Sequence, residues 1–155
     1  MIEIERKFLV TSEDFKAESF QKTRIIQGFL NTDPDRTVRI RLKGKQGFLT
    51  VKGKSSHDGL RRFEWEKEIS KTDAKALLDL CEKGVIDKIR YEVKQGYHIF
   101  EIDEFFGDNE GLIIAELELK HENDSFETPL WLGKEVTGDI KYYNSKLSQT
   151  PYKTW

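Results

Sequence analysis

Disulfide chemistry is excluded at the outset, because Cys81 is the sole cysteine among 155 residues. A lone thiol fits a reducing compartment, and the expected location is the cytoplasm. Histidine is nearly as scarce: His57, His98 and His121 fall in a turn, on a strand and at a strand end, so metal ligation by imidazole finds no support. No apolar run approaches the ~20 residues that a membrane-spanning helix needs, and no signal-peptide pattern is present. A soluble protein without a membrane partner is the expectation. Net charge is missing as well. Lys plus Arg number 26 against 28 for Asp plus Glu, a balance of −2, which withholds the basic excess of a general nucleic-acid binder. Neither an internal repeat nor a low-complexity linker divides the chain, and its length suits one domain spanning residues 1–155.

What the sequence does have is charge in alternation. Charged residues make up 35% of the chain, against a typical ~25%. Met1–Val10 reads as a strand, with Ile2, Ile4 and Phe8 on one face. Glu3, Glu5 and Lys7 then line the other, about 7 Å apart along the strand. Further strands are expected over Arg24–Asn31, Thr37–Lys43, Phe48–Lys52, Arg61–Ile69, Ile86–Val93, Tyr97–Phe105 and Leu112–Lys120. Ser12 is placed to cap a short helix reaching about Ser19. Ala74, Leu77, Leu78 and Cys81 share one face of a helix over Thr72–Lys83, with Gly84 in the C-cap position. From Asn123 onward the chain reads as irregular, with a short helix near Tyr142–Leu147. Consecutive antiparallel strands in this number tend to close, because closure removes exposed edges. The expected fold is therefore mainly β: an eight-stranded antiparallel barrel or tunnel covered by a few helices. A barrel of that size holds packed side chains or one small ligand.

Extending the parity of the first strand gives a recurring charged face. It runs through Arg39, Arg41 and Lys43, then Thr50 and Lys52, then Arg62, Glu64, Glu66 and Glu68. Lys88, Arg90 and Glu92 continue it, followed by Glu101 and Asp103, and by Glu116 and Glu118. The opposite faces are apolar or mixed and carry Phe63, Trp65 and Phe100, which helices and the C-terminal segment could cover. Alternation alone does not say which face is inside. The signs, however, segregate by strand, whereas a solvated face usually mixes them. Turned inward, such faces need a wet, internally paired or ligand-filled lumen, because each unpaired desolvated ion costs several kcal/mol. Carboxylates two apart on a strand suit a hard divalent cation such as Mg²⁺ or Mn²⁺, and arginines suit phosphate oxygens. Acids for metal and bases for phosphates in one tunnel make a phosphoryl-transfer site.

These residues resemble the CYTH family, the triphosphate tunnel metalloenzymes, whose signature is an N-terminal ExExK strand, here Glu3-x-Glu5-x-Lys7. Arg39-x-Arg41, Thr50-x-Lys52, Arg62-x-Glu64-x-Glu66, Lys88-x-Arg90, Asp103, Glu116-x-Glu118 and the stretch Gly138–Asn144 continue the likeness over nearly the whole chain. The resemblance implies a charged eight-stranded tunnel acting on a linear triphosphate with Mg²⁺ or Mn²⁺. Carried onto this sequence, it implies Glu3, Glu5, Asp103, Glu116 and Glu118 as metal ligands. Lys7, Arg39, Arg41, Lys52, Arg62, Lys88, Arg90 and Lys141 become phosphate ligands. Glu5 and Lys7 become catalytic together with Glu64 and Glu66, for which a second metal, water orientation or pairing to the arginines are the open roles. The compact chain is most similar to small inorganic triphosphatases, which implies tripolyphosphate hydrolysis to pyrophosphate and phosphate. The alternatives are a class IV adenylyl cyclase, a hydrolase of thiamine triphosphate or nucleoside triphosphates, or a polyphosphate- or nucleotide-binding module without turnover. A homodimer is a further possibility that the sequence does not decide.

Overall fold

A computed structural model describes all residues, 1–155, and the eight expected strands are present. They are β1 (Ile2–Val10), β2 (Gln21–Asn31), β3 (Arg36–Lys43), β4 (Gln46–Ser55), β5 (Arg61–Ile69), β6 (Ile86–Gln95), β7 (His98–Phe105) and β8 (Ile113–Leu119). All pair antiparallel in the order β5-β4-β3-β2-β6-β7-β8-β1, and β1 returns to β5, closing the sheet on itself. Closure is narrow. β1 runs beside β8 from Ile4 to Phe8, but its other edge meets β5 only at Ile2–Ile4. Beyond that the same edge takes a ninth strand, β9 (Leu132–Glu135), opposite Phe8 and Val10. Between these two partners the β1 backbone is satisfied by loops: Glu5 N–H donates to Leu60 C=O, and Lys7 N–H donates to Thr137 Oγ1. The four residues of β9 are too few to show a period, and sequence reading leaves them irregular.

Two covers hold the barrel's outer face. Phe15 of α1 (Phe15–Glu18) and Trp131 pack edge-to-face over Tyr91 and Phe100, with ring centroids 5.4 to 5.8 Å apart. Ile4, Phe8, Ile102, Ala115, Leu117 and Leu119 complete this outer core. Burying each large side chain there contributes about 1.5–3 kcal/mol. The second cover is α2 (Lys71–Leu78), capped by Ser70, whose hydroxyl accepts from Asp73 N–H. Ala74 sits against Gly47, and Cys81 sits against Gly28; a Cβ on either glycine would collide with its neighbour. Phe100 is fully buried beneath the first cover, but Phe63 and Trp65 on β5 stay exposed, because neither cover reaches that strand.

Two local expectations change. The helix expected over Thr72–Lys83 stops at Leu78, and the next turns are irregular. Gly84 therefore caps no helix; it holds φ +94° where a Cβ would overlap the Ser148 carbonyl. The C-terminal helix is α3 (Asn144–Leu147), preceded by one 3₁₀ turn over Ile140–Tyr142. These elements close one end of the barrel. Leu147 and Tyr142 join Phe29, Ile86, Phe105, Leu112 and Ile114 in a buried apolar cluster.

Candidate active site

Cross-strand register decides which face points inward, since directly opposed residues in an antiparallel pair share a face. Lys7 lies opposite Glu116, and Glu5 opposite Glu118. Glu101 joins Glu116 to Glu92, Asp103 faces Arg90, Arg39 faces Thr50, and Lys52 faces Glu64. Side-chain contacts then run across the lumen between strands that are not neighbours. Lys52 Nζ on β4 lies 3.1 Å from Glu3 on β1, Arg39 Nη2 on β3 lies 3.3 Å from Glu66 on β5, and Arg90 Nη2 on β6 lies 3.9 Å from Glu116 on β8. The charged faces point inward.

The resulting cavity is lined by seven cations, Lys7, Arg39, Arg41, Lys52, Arg62, Lys88 and Arg90, against three carboxylates, Glu3, Glu5 and Glu116. The basic groups are braced. Asp103 is wholly buried, and its two oxygens accept from Arg90 Nε at 2.8 Å, Arg90 Nη2 at 2.9 Å and Lys88 Nζ at 2.7 Å. Arg39 donates to Thr50 and Glu66, yet its buried Nε has no hydrogen-bond partner. An unsatisfied buried donor on a charged group is costly. Burial pushes the Arg41 guanidinium below its ordinary range, and the like charges of Arg39 and Arg90 add to the effect. Lys88 is pushed down to about 7 by burial, against the opposing pull of Asp103.

The acidic half shows the complementary strain. Burial raises Glu5 well above the usual glutamate range, and Glu116 and Glu3 raise it further. Burial likewise raises Glu3 and Glu118, whereas Glu116 is held well below its usual range because Lys7, Arg90 and Lys88 outweigh its desolvation. Crowded carboxylates on β1 and β8 are an all-oxygen donor set of the kind hard divalent cations take. No three His, Cys, Asp or Glu side chains stand at ready-made ligand positions. Lys52 and Lys7 lie beside this set as its positive neighbours.

The CYTH domain matches residues 1–151. The chain belongs to the CYTH family. The inorganic triphosphatase of Acetivibrio thermocellus is 46% identical over 154 residues, covering 99% of this chain and 97% of the relative. That of Nitrosomonas europaea is 36% identical over 152 residues, covering 96% and 97%. The crystal structure of the inorganic triphosphatase NE1496 superposes with a TM-score of 0.63 at 32% identity, covering 94% of this chain and 93% of that one. The closed eight-stranded barrel is thus the CYTH tunnel fold.

Within this tunnel, the expected site residues fall in different surroundings. Lys141 lies outside the lumen: it is exposed, with its ammonium 4.7 Å from the Trp155 ring centroid and 5.2 Å from that of Tyr142. Asp103 is wholly buried, with its oxygens 2.7 Å from Lys88 Nζ and 2.8 Å from Arg90 Nε. Glu64 pairs with Lys52 Nζ at 3.1 Å and Glu66 with Arg39 Nη2 at 3.3 Å. Glu118 faces Glu5 in register but opens to solvent at the strand end. Arg62 is anchored by Gly53 C=O at 2.6 Å and Thr37 Oγ1 at 2.7 Å and lines the cavity.

Two lumen residues escape sequence reasoning. Asn144 Oδ1 accepts from Lys88 Nζ at 3.0 Å and from Gln27 Nε2 at 2.8 Å, while Gln27 Oε1 accepts from Arg41 Nε at 3.0 Å. The two amides thus tie Arg41 to Lys88. Gln27 shares the lumen parity but is flanked by Ile25 and Phe29, so its strand shows no charged face. Asn144 lies in an irregular stretch, where no period marks its direction.

Proposed function

We propose that this tunnel hydrolyses a linear triphosphate with Mg²⁺ or Mn²⁺, taking inorganic tripolyphosphate to pyrophosphate and phosphate. The carrying observation is the convergence of seven cations on one cavity, among which Arg41 and Arg62 have only neutral partners. Each phosphate contributes on the order of one to two negative charges, so a triphosphate offers these cations the anionic partner that neutral groups do not. Both relatives compared above are named inorganic triphosphatases. Glu3, Glu5, Glu116 and Glu118 would hold the cation, which when bound supplies charge neutralisation at the phosphoryl oxygens.

The chain's own residues do the positioning. Arg39, Arg41, Lys88 and Arg90 fix the phosphates from two strands, held in turn by Thr50, Glu66, Gln27, Asn144 and Asp103. Preorganised charge of this kind needs no rearrangement as the reaction proceeds. Water adds to a terminal phosphorus, the bridging P–O bond breaks and pyrophosphate leaves. Lys7, next to Glu116, lies between the acidic and basic halves, where charge develops on that oxygen.

A panel of tripolyphosphate, ATP and thiamine triphosphate, each assayed with Mg²⁺, Mn²⁺ and chelator, tests this reading. Tripolyphosphate is expected to be turned over fastest and only with metal. Production of cyclic AMP from ATP without phosphate release from tripolyphosphate would instead establish a cyclase.

The amide bridge makes its own prediction. Asn144→Ala removes one acceptor from both Lys88 and Gln27, a loss of about 1–3 kcal/mol when buried donors are left unpaired. KM for tripolyphosphate is expected to rise several-fold while Asn144→Asp, which keeps an acceptor for Lys88, retains a KM near that of the parent. Equal KM values in all three proteins would detach the bridge from substrate positioning.

A further inference from the structure

Outside the lumen, a second cavity of about 690 Å³ opens where the 54–59 turn meets the C-terminal segment, and it shares Arg62, Ser55 and Tyr143 with the tunnel lining. Lys54, His57 and Lys146 line it, and none of the three enters an ion pair anywhere in the chain. Its one carboxylate, Asp33, is already held by Arg36. Arg62, which joins the two cavities, has only a carbonyl and a hydroxyl as partners. In a chain with two more acidic than basic residues, a vestibule whose basic groups lack carboxylate partners is a site for an anion.

The same cavity is poorly made for a nucleoside. Only two of its fifteen lining residues are hydrophobic. Its one phenol ring, Tyr143, has the Lys7 ammonium 5.2 Å from its centroid and its hydroxyl engaged with Ser55 at 3.3 Å. No Phe or Trp lines the cavity to give a base a stacking platform, the usual sequence-tolerant contribution to base binding. Further phosphate groups need cations and hydrogen-bond donors, which the Lys54 and Lys146 ammonium groups and the His57 imidazole present.

We propose that the vestibule is an outer anion subsite, formed by Lys54, His57 and Lys146 around Arg62, that holds the phosphates beyond the third in linear polyphosphates longer than tripolyphosphate. It rests on the triphosphate reading of the lumen, since it extends the same chain outward through Arg62.

The test is calorimetric binding of tripolyphosphate and tetrapolyphosphate to the parent protein and to a Lys54→Ala, His57→Ala, Lys146→Ala variant. All three side chains are exposed, so their removal leaves the core untouched. The parent is expected to bind tetrapolyphosphate about tenfold more tightly than tripolyphosphate, and the variant to bind the two alike, with its tripolyphosphate affinity within about twofold of the parent's. Equal affinities in the parent, or the same preference surviving in the variant, overturn the subsite. Phosphate release from tripolyphosphate is measured on both proteins alongside. Its absence with the binding preference intact rejects hydrolysis and keeps the subsite; its presence with no preference does the reverse.

Discussion

A Glu5→Gln protein is expected to release phosphate from tripolyphosphate about 10²–10³-fold more slowly than its parent, the scale seen when one preorganised charge-stabilising group is removed from an active site. It is also expected to melt at a higher temperature in metal-free buffer. The reason is electrostatic. Burial raises Glu5, with Glu116 and Glu3 adding to it, so the folded state binds a proton more tightly than the unfolded chain. Stability from this group is therefore fully present below the ordinary glutamate value of 4.5 and is lost as pH rises through the raised one. At neutral pH the ionised carboxylate destabilises the fold, and a neutral amide of the same shape removes that repulsion. Each kcal/mol recovered moves the midpoint by about 2–4 °C for a chain of this length. Divalent cation should raise the midpoint of the parent and shift the variant much less. A variant of full activity would place Glu5 outside the site, and a variant that binds triphosphate as before but turns none over separates catalysis from capture.

Asp103→Ala is expected to carry the largest loss of stability. Its carboxylate is the shared partner of two fully desolvated cations. Breaking a buried pair by deleting one member costs about 3–5 kcal/mol, because the remaining charges keep their desolvation without their attraction. That corresponds to a fall of about 6–20 °C in the melting midpoint. Burial raises the Asp103 pKa, but Arg90 and Lys88 outweigh it and hold the group below the ordinary aspartate value of 3.8. The contribution is thus present above that value and disappears only as pH falls through the lowered one. The variant should accordingly lack this part of the parent's acid sensitivity. Unchanged melting would mean that Glu116, 3.9 Å from Arg90, suffices to balance the pair.

The strands that could be located from sequence are those whose two faces differ sharply. Glu3-x-Glu5-x-Lys7 and Arg39-x-Arg41 declare a period of two over several residues, and that period survives any shift of strand ends. Direction was not legible in the same way. The inward turn of the faces came from the family likeness, and the ion pairs across the lumen now supply it physically. β2 hid its contribution because its inward face is Thr23, Ile25, Gln27 and Phe29, without a charge to mark it. Lys141 misled for the opposite reason: a charge in an irregular stretch has no periodic neighbour to fix its side, and it stacks on Trp155 instead. Asp103 shows a third limit, since parity placed it inside but could not tell a ligand from a brace. Its short distances to Lys88 and Arg90 are visible only in the folded chain.

The most direct test of the central claim is a ³¹P NMR time course of tripolyphosphate with the purified protein and Mn²⁺ or Mg²⁺. Equal amounts of pyrophosphate and phosphate should appear, and chelator should stop both. Tripolyphosphate that persists unchanged at saturating metal would contradict the account.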